Sequence, residues 1–367
     1  MKTAVVLTTV NIPDLLVEYA DNFKKYGHRD VEFIIVGDLK TPAEVEKISA
    51  EIRDRGFEAE YLNIPKQEKW MERFPAVKSI VSYNSDNRRN IGYLIALQRG
   101  ADIIIILDDD NYVTEGDYLA GHKIVGTRQT LKTARSSNRW FNICSMLDTE
   151  PPRTIYPRGF PYSKRWQDDA HFTISEARIA INAGLWLSHA DADAVTNLNE
   201  PVRMVSLNSE QIMLAPGTFA PINTQNTAFH RDVVPCFYYV MGGQADGNKI
   251  DRYGDIWAGF FAKKVIDHMG DAVSFGQPMA DHRRNIHNLF KDLQNELWGM
   301  MLTDELVPII ESIDLTASTY PDAYLELAEK LRATIERSAE FNQPARAYLG
   351  QVTDAMKIWV DLCRKVM

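Results

Sequence analysis

Three carboxylates stand in a row at Asp108-Asp109-Asp110, directly after the apolar run Ile103-Ile104-Ile105-Ile106-Leu107. Adjacent acids repel one another unless a cation neutralises them, and an oxygen-rich set of this kind suits a hard divalent ion such as Mg²⁺ or Mn²⁺ that can hold a phosphate in turn. A solvated acidic turn fits the same three residues. A phosphatase-like nucleophilic aspartate is a further reading, but it belongs near a first strand, whereas this triplet ends the fourth. Other stretches could join the triplet. Asp281-His282-Arg283-Arg284 offers a nitrogen ligand beside two cations, or simply a charged surface turn. Arg158 lies between Pro157 and Gly159 in a segment rich in Tyr and Arg (153–165), where aromatic faces suit sugars and guanidinium planes. That segment reads equally as a basic loop packed on an acidic body. Asp255 opens an apolar helical stretch, as a cap or a functional acid. Gly184-Leu185-Trp186-Leu187, followed by Asp191 and Asp193, reads as a strand entering a turn.

The elements that must position these residues alternate over the first 110 positions. Ala4–Leu7, Val31–Val36 and Phe57–Leu62 read as strands, and Ile103–Leu107 as a fourth. Between them, Leu15/Leu16, Tyr19 and Phe23 recur at helical spacing, as do Val45, Ile48 and Ile52, then Ile91, Leu94, Ile95 and Leu97. Asn11 is expected to cap the first helix. Thr41-Pro42-Ala43-Glu44 is expected to form a capping box on the second, with Gly56 ending it. Such alternation predicts a mostly parallel sheet with helices on both faces, and ligands in such sheets collect beyond the carboxyl ends of the strands. From 112 to 180 the period fades. Residues 173–187 and 202–214 read as strands or short helices, 256–269 as a helix, and everything from Ile286 as helical, with Tyr348, Val352, Ala355, Met356, Trp359 and Leu362 on one buried face. The boundaries expected are 1–285 for an α/β catalytic domain and 286–367 for a helical region packed on it.

The chain has 367 residues and a formal net charge of −9, which disfavours a nucleic-acid partner. Its three widely spaced cysteines suit a reducing compartment, and no apolar run is long enough for a membrane span, so a cytoplasmic location is expected. The amphipathic C-terminal helices could bury a face against a second copy in a homo-oligomer.

Taken in order, the motifs resemble those of the reversibly glycosylated polypeptides, the plant UDP-arabinopyranose mutases, from about Ala4 to beyond Leu315. The strand end Leu107–Asn111 is similar to the family's IDDDC, 158–165 to RGYPFS-R, and 184–196 to GLWLN-x-x-DYDAPTQ. Likewise 216–221 is similar to PKGTLFP, 226–231 to N-x-AFDR, and 252–259 to RYDDMWAG. The segment 88–93 is also similar to one in STELLO-type glycosyltransferases. The chain departs from the family pattern at Asn111 (Cys), Gly254 (an acid) and His230 (Asp). The resemblance implies an α/β, GT-A-like nucleotide-sugar-binding fold and an NDP-sugar pyranose/furanose mutase acting on UDP-L-arabinose or a similar UDP-sugar with Mn²⁺ or Mg²⁺. It implies catalytic roles for Arg158, Asp255 and Arg165, with Arg158 glycosylated or contacting the sugar. It implies nucleotide-sugar contacts from Thr9, Asp38, Arg89, Asp108, Asp109, Trp186, Asn226 and Trp257, and metal ligation by Asp108, Asp110 and His282. A glycosyltransferase with an external acceptor and a non-catalytic nucleotide-sugar-binding subunit are the alternatives.

Overall fold

A computed structural model describes residues 1–167, 169–199, 201–245, 248–285 and 288–367. Ile286, where the helical reading begins, lies outside them. The first strands are β1 (Thr3–Thr9), β2 (Val31–Gly37), β3 (Glu58–Leu62) and β4 (Ile103–Leu107), and they pair in parallel in the order β3-β2-β1-β4. Helices α1 (Leu15–Lys25), α2 (Val45–Asp54), α3 (Ile64–Met71) and α4 (Arg89–Gln98) connect them. Side chains alternate across a strand, so an unbroken apolar run must serve two cores. Val5, Leu7, Ile35, Ile103 and Ile105 pack with Leu16 and Phe23 of α1 and Ile52 of α2. Ala4, Val6, Ile34, Ile104 and Ile106 pack with Ile91 and Leu94 of α4 on the opposite face.

Beyond β4 the sheet is mixed rather than mostly parallel. The remaining strands are β5 (Asn111–Val113), β6 (Arg128–Arg135), β7 (Leu147–Glu150), β8 (His171–Ser188), β9 (Arg203–Leu207), β10 (Ile212–Leu214), β11 (Asn226–His230), β12 (Gly243–Ala245), β13 (Asn248–Ile250) and β14 (Ala272–His282). β11 runs antiparallel to β4, with Asn226 opposite Leu107, and β8 follows antiparallel to β11. β14 runs parallel to β8 and antiparallel to β5, which sets His282 opposite Asn111. The last strand therefore returns the chain to the acidic triplet.

The remaining helices are α5 (Tyr118–His122), α6 (Ala194–Asn199), α7 (Gly254–Met269), α8 (Leu289–Ser312), α9 (Tyr320–Arg337) and α10 (Gln343–Val366). The expected face of α10 is buried, and its Trp359 indole donates to the Val234 carbonyl at 2.9 Å. Among the described residues no helix is long and apolar enough to cross a membrane.

Two expected caps are not caps. α2 starts at Val45 with no side-chain cap from Glu44. The Thr41 hydroxyl instead donates to the Thr9 carbonyl and accepts from the Asp38 N–H, both at 2.6 Å, so it ties the ends of β1 and β2 together. Asn11 likewise turns away from α1 and donates to Asp109. In both places a tertiary partner outcompetes the local capping bond.

Candidate active site

A cavity of about 430 Å³ opens beyond the carboxyl ends of β1, β2 and β4. Of the residues expected in the site, Thr9, Asp38, Arg89, Asp108, Asp109, Asp110, Arg158, Asp255 and His282 line it. Strand ends supply Thr9, Asp38, the triplet and His282. The start of α4 supplies Arg89 and the start of α7 supplies Asp255.

The three triplet carboxylates face different partners. Asp108 Oδ1 accepts from Arg89 Nη2 at 2.8 Å. Arg89 is itself buried and held by the Thr224 hydroxyl at 2.6 Å and carbonyl at 3.1 Å. Removal from water, with Asp110 and Asp86 adding negative charge, pushes the Asp108 carboxyl up to about 7 against the pull of Arg89. Asp109 turns toward β1, where its Oδ2 accepts from the Thr9 hydroxyl and from Asn11 Nδ2. Burial raises its pKa as well. Asp110 Oδ2 lies 3.5 Å from His282 Nε2 and accepts from Asn285 Nδ2 at 3.3 Å.

His282 Nδ1 lies 2.9 Å from the His189 carbonyl. A carbonyl only accepts, so Nδ1 carries the hydrogen and Nε2 points its lone pair toward Asp110 when the ring is neutral. This backbone-anchored tautomer is the usual arrangement of a metal-binding histidine. Burial disfavours the imidazolium, but the Asp110 carboxylate outweighs it and raises the His282 pKa. Among the described residues no three His, Cys, Asp or Glu side chains converge into a closed metal cage. Two protein donors with open positions nevertheless suit Mg²⁺ or Mn²⁺, which keep waters or take substrate phosphates as further ligands.

Arg158 forms the other wall. Its Nε and Nη2 bond the two oxygens of Asp191 at 2.9 Å each, while Nη2 and Nη1 bond Asp255 at 3.0 and 3.1 Å. The remaining Nη1 hydrogen goes to the Arg252 carbonyl. All five donors of the guanidinium are therefore used. Burial works against its charge, but Asp191 and Asp255 outweigh it and hold it protonated well above the ordinary range. Asn223 Nδ2 supports Asp191 at 2.9 Å, and the Thr224 N–H supports Asp255 at 3.3 Å. Gly159 makes this seating feasible. Its φ is +83°, and a Cβ there would lie 2.2 Å from Cγ2 of Ile256 in the first turn of α7.

Four expected site residues lie outside this cavity, and three of them, Arg165, Asn226 and Trp257, commit polar groups to the scaffold. Arg165 bonds Asp193 between the rings of Tyr156 and Tyr162 and lines a separate pocket with Trp166. Trp186 is buried in β8. The Asn226 carboxamide is occupied by Tyr118 and the Pro278 carbonyl. The Trp257 indole donates to Thr303 of α8 at 2.9 Å. The cavity also contains Asp191, Thr224, Gln225, Tyr239 and Arg252, none of which was assigned a site role from sequence. For Asp191 the signals were the aspartate spacing after Trp186 and its place in the segment similar to GLWLN-x-x-DYDAPTQ. The departure at Gly254 has a steric reason, since a Cβ there would lie 2.3 Å from the Val240 carbonyl oxygen.

Fold and cavity together define an α/β protein with a polar, mixed-charge site at the strand ends. The chain belongs to the reversibly glycosylated polypeptide family, whose family model matches residues 3–367. It is 30% identical over 289 residues to UDP-arabinopyranose mutase 3 of Arabidopsis thaliana, covering 77% of this chain and 73% of the relative. It is 27% identical over 362 residues to a probable UDP-arabinopyranose mutase 1 of Pisum sativum, covering 97% and 89%. Among solved structures, S. aureus TarS 1–349 in complex with UDP-GlcNAc aligns over 100% of this chain and 90% of that one, with a TM-score of 0.40 and 13% identity.

Proposed function

We propose that this protein is a nucleotide-sugar mutase that interconverts the pyranose and furanose forms of an NDP-sugar, with UDP-L-arabinose the first substrate to test. One observation carries the reading: a single cavity holds both an acidic strand end suited to a metal-bound diphosphate and a fully clamped arginine. The relatives' names support the same reaction.

The reaction begins with heterolysis of the anomeric C–O bond, and the electron pair leaves on the diphosphate. A divalent cation, Mn²⁺ or Mg²⁺, held by Asp110 and His282 with Asp108 beside them, would neutralise charge building on that leaving group. In this reading Asp38, buried just beyond β2 on the cavity wall, meets the nucleoside. Arg158 meets the sugar. A nitrogen of Arg158 becomes nucleophilic only after losing a proton along one of its existing bonds, to Asp191 or Asp255. Those carboxylates are therefore the acid–base partners of any covalent step at Arg158, and otherwise they fix a cation against the sugar. The original ring C–O bond at the anomeric carbon then breaks, and its oxygen takes up a proton. A different hydroxyl bonds the same carbon and gives up its proton. The diphosphate, retained in the same cavity, re-forms the anomeric bond, displacing the arginine nitrogen where one is attached. Retention makes the return step effectively unimolecular.

The test is incubation of the purified chain with UDP-L-arabinopyranose and Mn²⁺ without acceptor. Isomeric UDP-sugar supports a mutase. Release of UDP and free arabinose alone would move the reading to a transferase that lacks its acceptor.

A further inference from the structure

Two of the cavity's arginines have little left to offer an anion. Every N–H of Arg158 is engaged, and Arg89 gives Nε to the Asp86 carbonyl, Nη1 to Thr224 and Nη2 to Asp108. A phosphate could recruit either one only by displacing a buried partner. Arg252 differs. Its Nε donates to Glu296 Oε1 at 2.7 Å, whereas Nη1 and Nη2 have no acceptor among the described residues, and the side chain is 26% exposed on the cavity wall.

Its backbone is also unusual. Arg252 has φ +60°, a left-handed conformation that a long L side chain adopts only when its surroundings enforce it. Three contacts enforce it here. Asp251 Oδ1 accepts from the Arg252 N–H at 3.0 Å, the Arg252 carbonyl accepts from Arg158, and Glu296 grips the side chain. Glu296 is buried on α8 and fixed by the Ala194 N–H at 2.8 Å. One residue thus supports Arg158 through its carbonyl and lines the cavity with a guanidinium whose four Nη hydrogens have no acceptor among the described residues.

We propose that Arg252 receives the sugar-bearing phosphate of the nucleoside diphosphate, and that its left-handed backbone serves to combine that contact with the support of Arg158. The inference rests on the nucleotide-sugar reading above. Arg284 and Lys40 also line the cavity, but Arg252 is the cation bonded, through its carbonyl, to Arg158. The phosphate bonded to the anomeric carbon is the one next to the sugar that Arg158 meets. Bidentate guanidinium–phosphate contacts are the strong form of such recognition.

The test uses the double variant Arg252→Gly/Glu296→Gln in the full chain. Glycine adopts φ +60° without strain, and Gln keeps an acceptor for Ala194 without leaving an unpaired buried carboxylate. Calorimetry with UDP and with UMP, both with Mn²⁺, isolates the second phosphate. The UDP Kd is expected to rise roughly tenfold or more, with UMP affinity almost unchanged. An unaltered UDP-to-UMP affinity ratio, whether both weaken or neither does, would overturn the assignment. Should the double variant not fold, Arg252→Asn, which tolerates the left-handed region, gives the same readout with the same two outcomes. A wild-type chain that binds no UDP sinks the nucleotide-sugar reading itself, and this inference with it.

Discussion

Arg158 and Asp255, 97 residues apart in the chain, meet through two parallel hydrogen bonds of 3.0 and 3.1 Å inside the protein. Both side chains are almost wholly buried. Loss of Arg158 would strand the carboxylates of Asp255 and Asp191, whereas loss of the Asp255 charge leaves Arg158 paired with Asp191. Asp255→Asn, which weakens charge-assisted hydrogen bonds without stranding Arg158, is expected to cost roughly 1–2 kcal/mol of folding stability, measured by urea denaturation. Arg158→Lys cannot reproduce the planar fork. It should lower turnover by about a hundredfold or more while leaving UDP affinity nearly unchanged, because Arg158 faces the sugar. Loss of UDP binding in that variant would place Arg158 on the diphosphate instead.

Asp110 and His282 provide two protein donors, so metal and diphosphate should bind together. Mn²⁺ affinity measured by electron paramagnetic resonance should be weak alone and strengthen when UDP is added. His282→Ala should weaken Mn²⁺ binding in the presence of UDP by about tenfold or more, and chelation should stop turnover. Equal Mn²⁺ affinity with and without UDP would contradict this arrangement.

Thr41 braces the floor of the cavity by joining Thr9 to Asp38. Thr41→Val keeps the volume and removes both bonds. A stability loss of roughly 2 kcal/mol is expected, about one for each bond, together with weaker nucleotide binding. If the residue were only a helix cap, as its sequence context suggests, nucleotide affinity would not move.

Gly159→Ala should be far more damaging than Gly217→Ala. Both glycines have positive φ, but a Cβ at Gly217 meets nothing within 4 Å, whereas one at Gly159 strikes Ile256. Thermal melts should show about 1–2 kcal/mol lost at Gly217 from backbone strain alone, and more at Gly159 from strain plus overpacking. Equal losses would mean that the Arg158 loop is not seated on α7 in this way.

Much of the left half of the sheet was legible in sequence. The unbroken apolar run of β4 announced a strand buried on both faces, and the acids after it had to fall at the sheet's ligand edge. The mixed right half was not legible. Residues 179–185 of β8 are buried throughout, so their pattern shows no period to separate strand from helix. The antiparallel return of β14, which delivers His282 to Asp110, depends on pairing across distant segments. The partners of Arg158 were hidden for the same reason: Asp191, in the connection between β8 and α6, and Asp255, in the first turn of α7, are brought together only by the tertiary fold. Asn226 and Trp257 belong to motifs around the site, yet their polar groups bond scaffold residues, and motif membership alone does not distinguish those roles.

The most direct measurement follows UDP-L-arabinopyranose by chromatography and NMR, with purified protein, Mn²⁺ and no acceptor. The expected result is a steady-state mixture of UDP-arabinopyranose and UDP-arabinofuranose, reached from either side and approached about a hundredfold or more slowly in Arg158→Lys. UDP and free arabinose as the only products, or interconversion that survives Arg158→Lys at the wild-type rate, would contradict the assignment of this cavity as a mutase site.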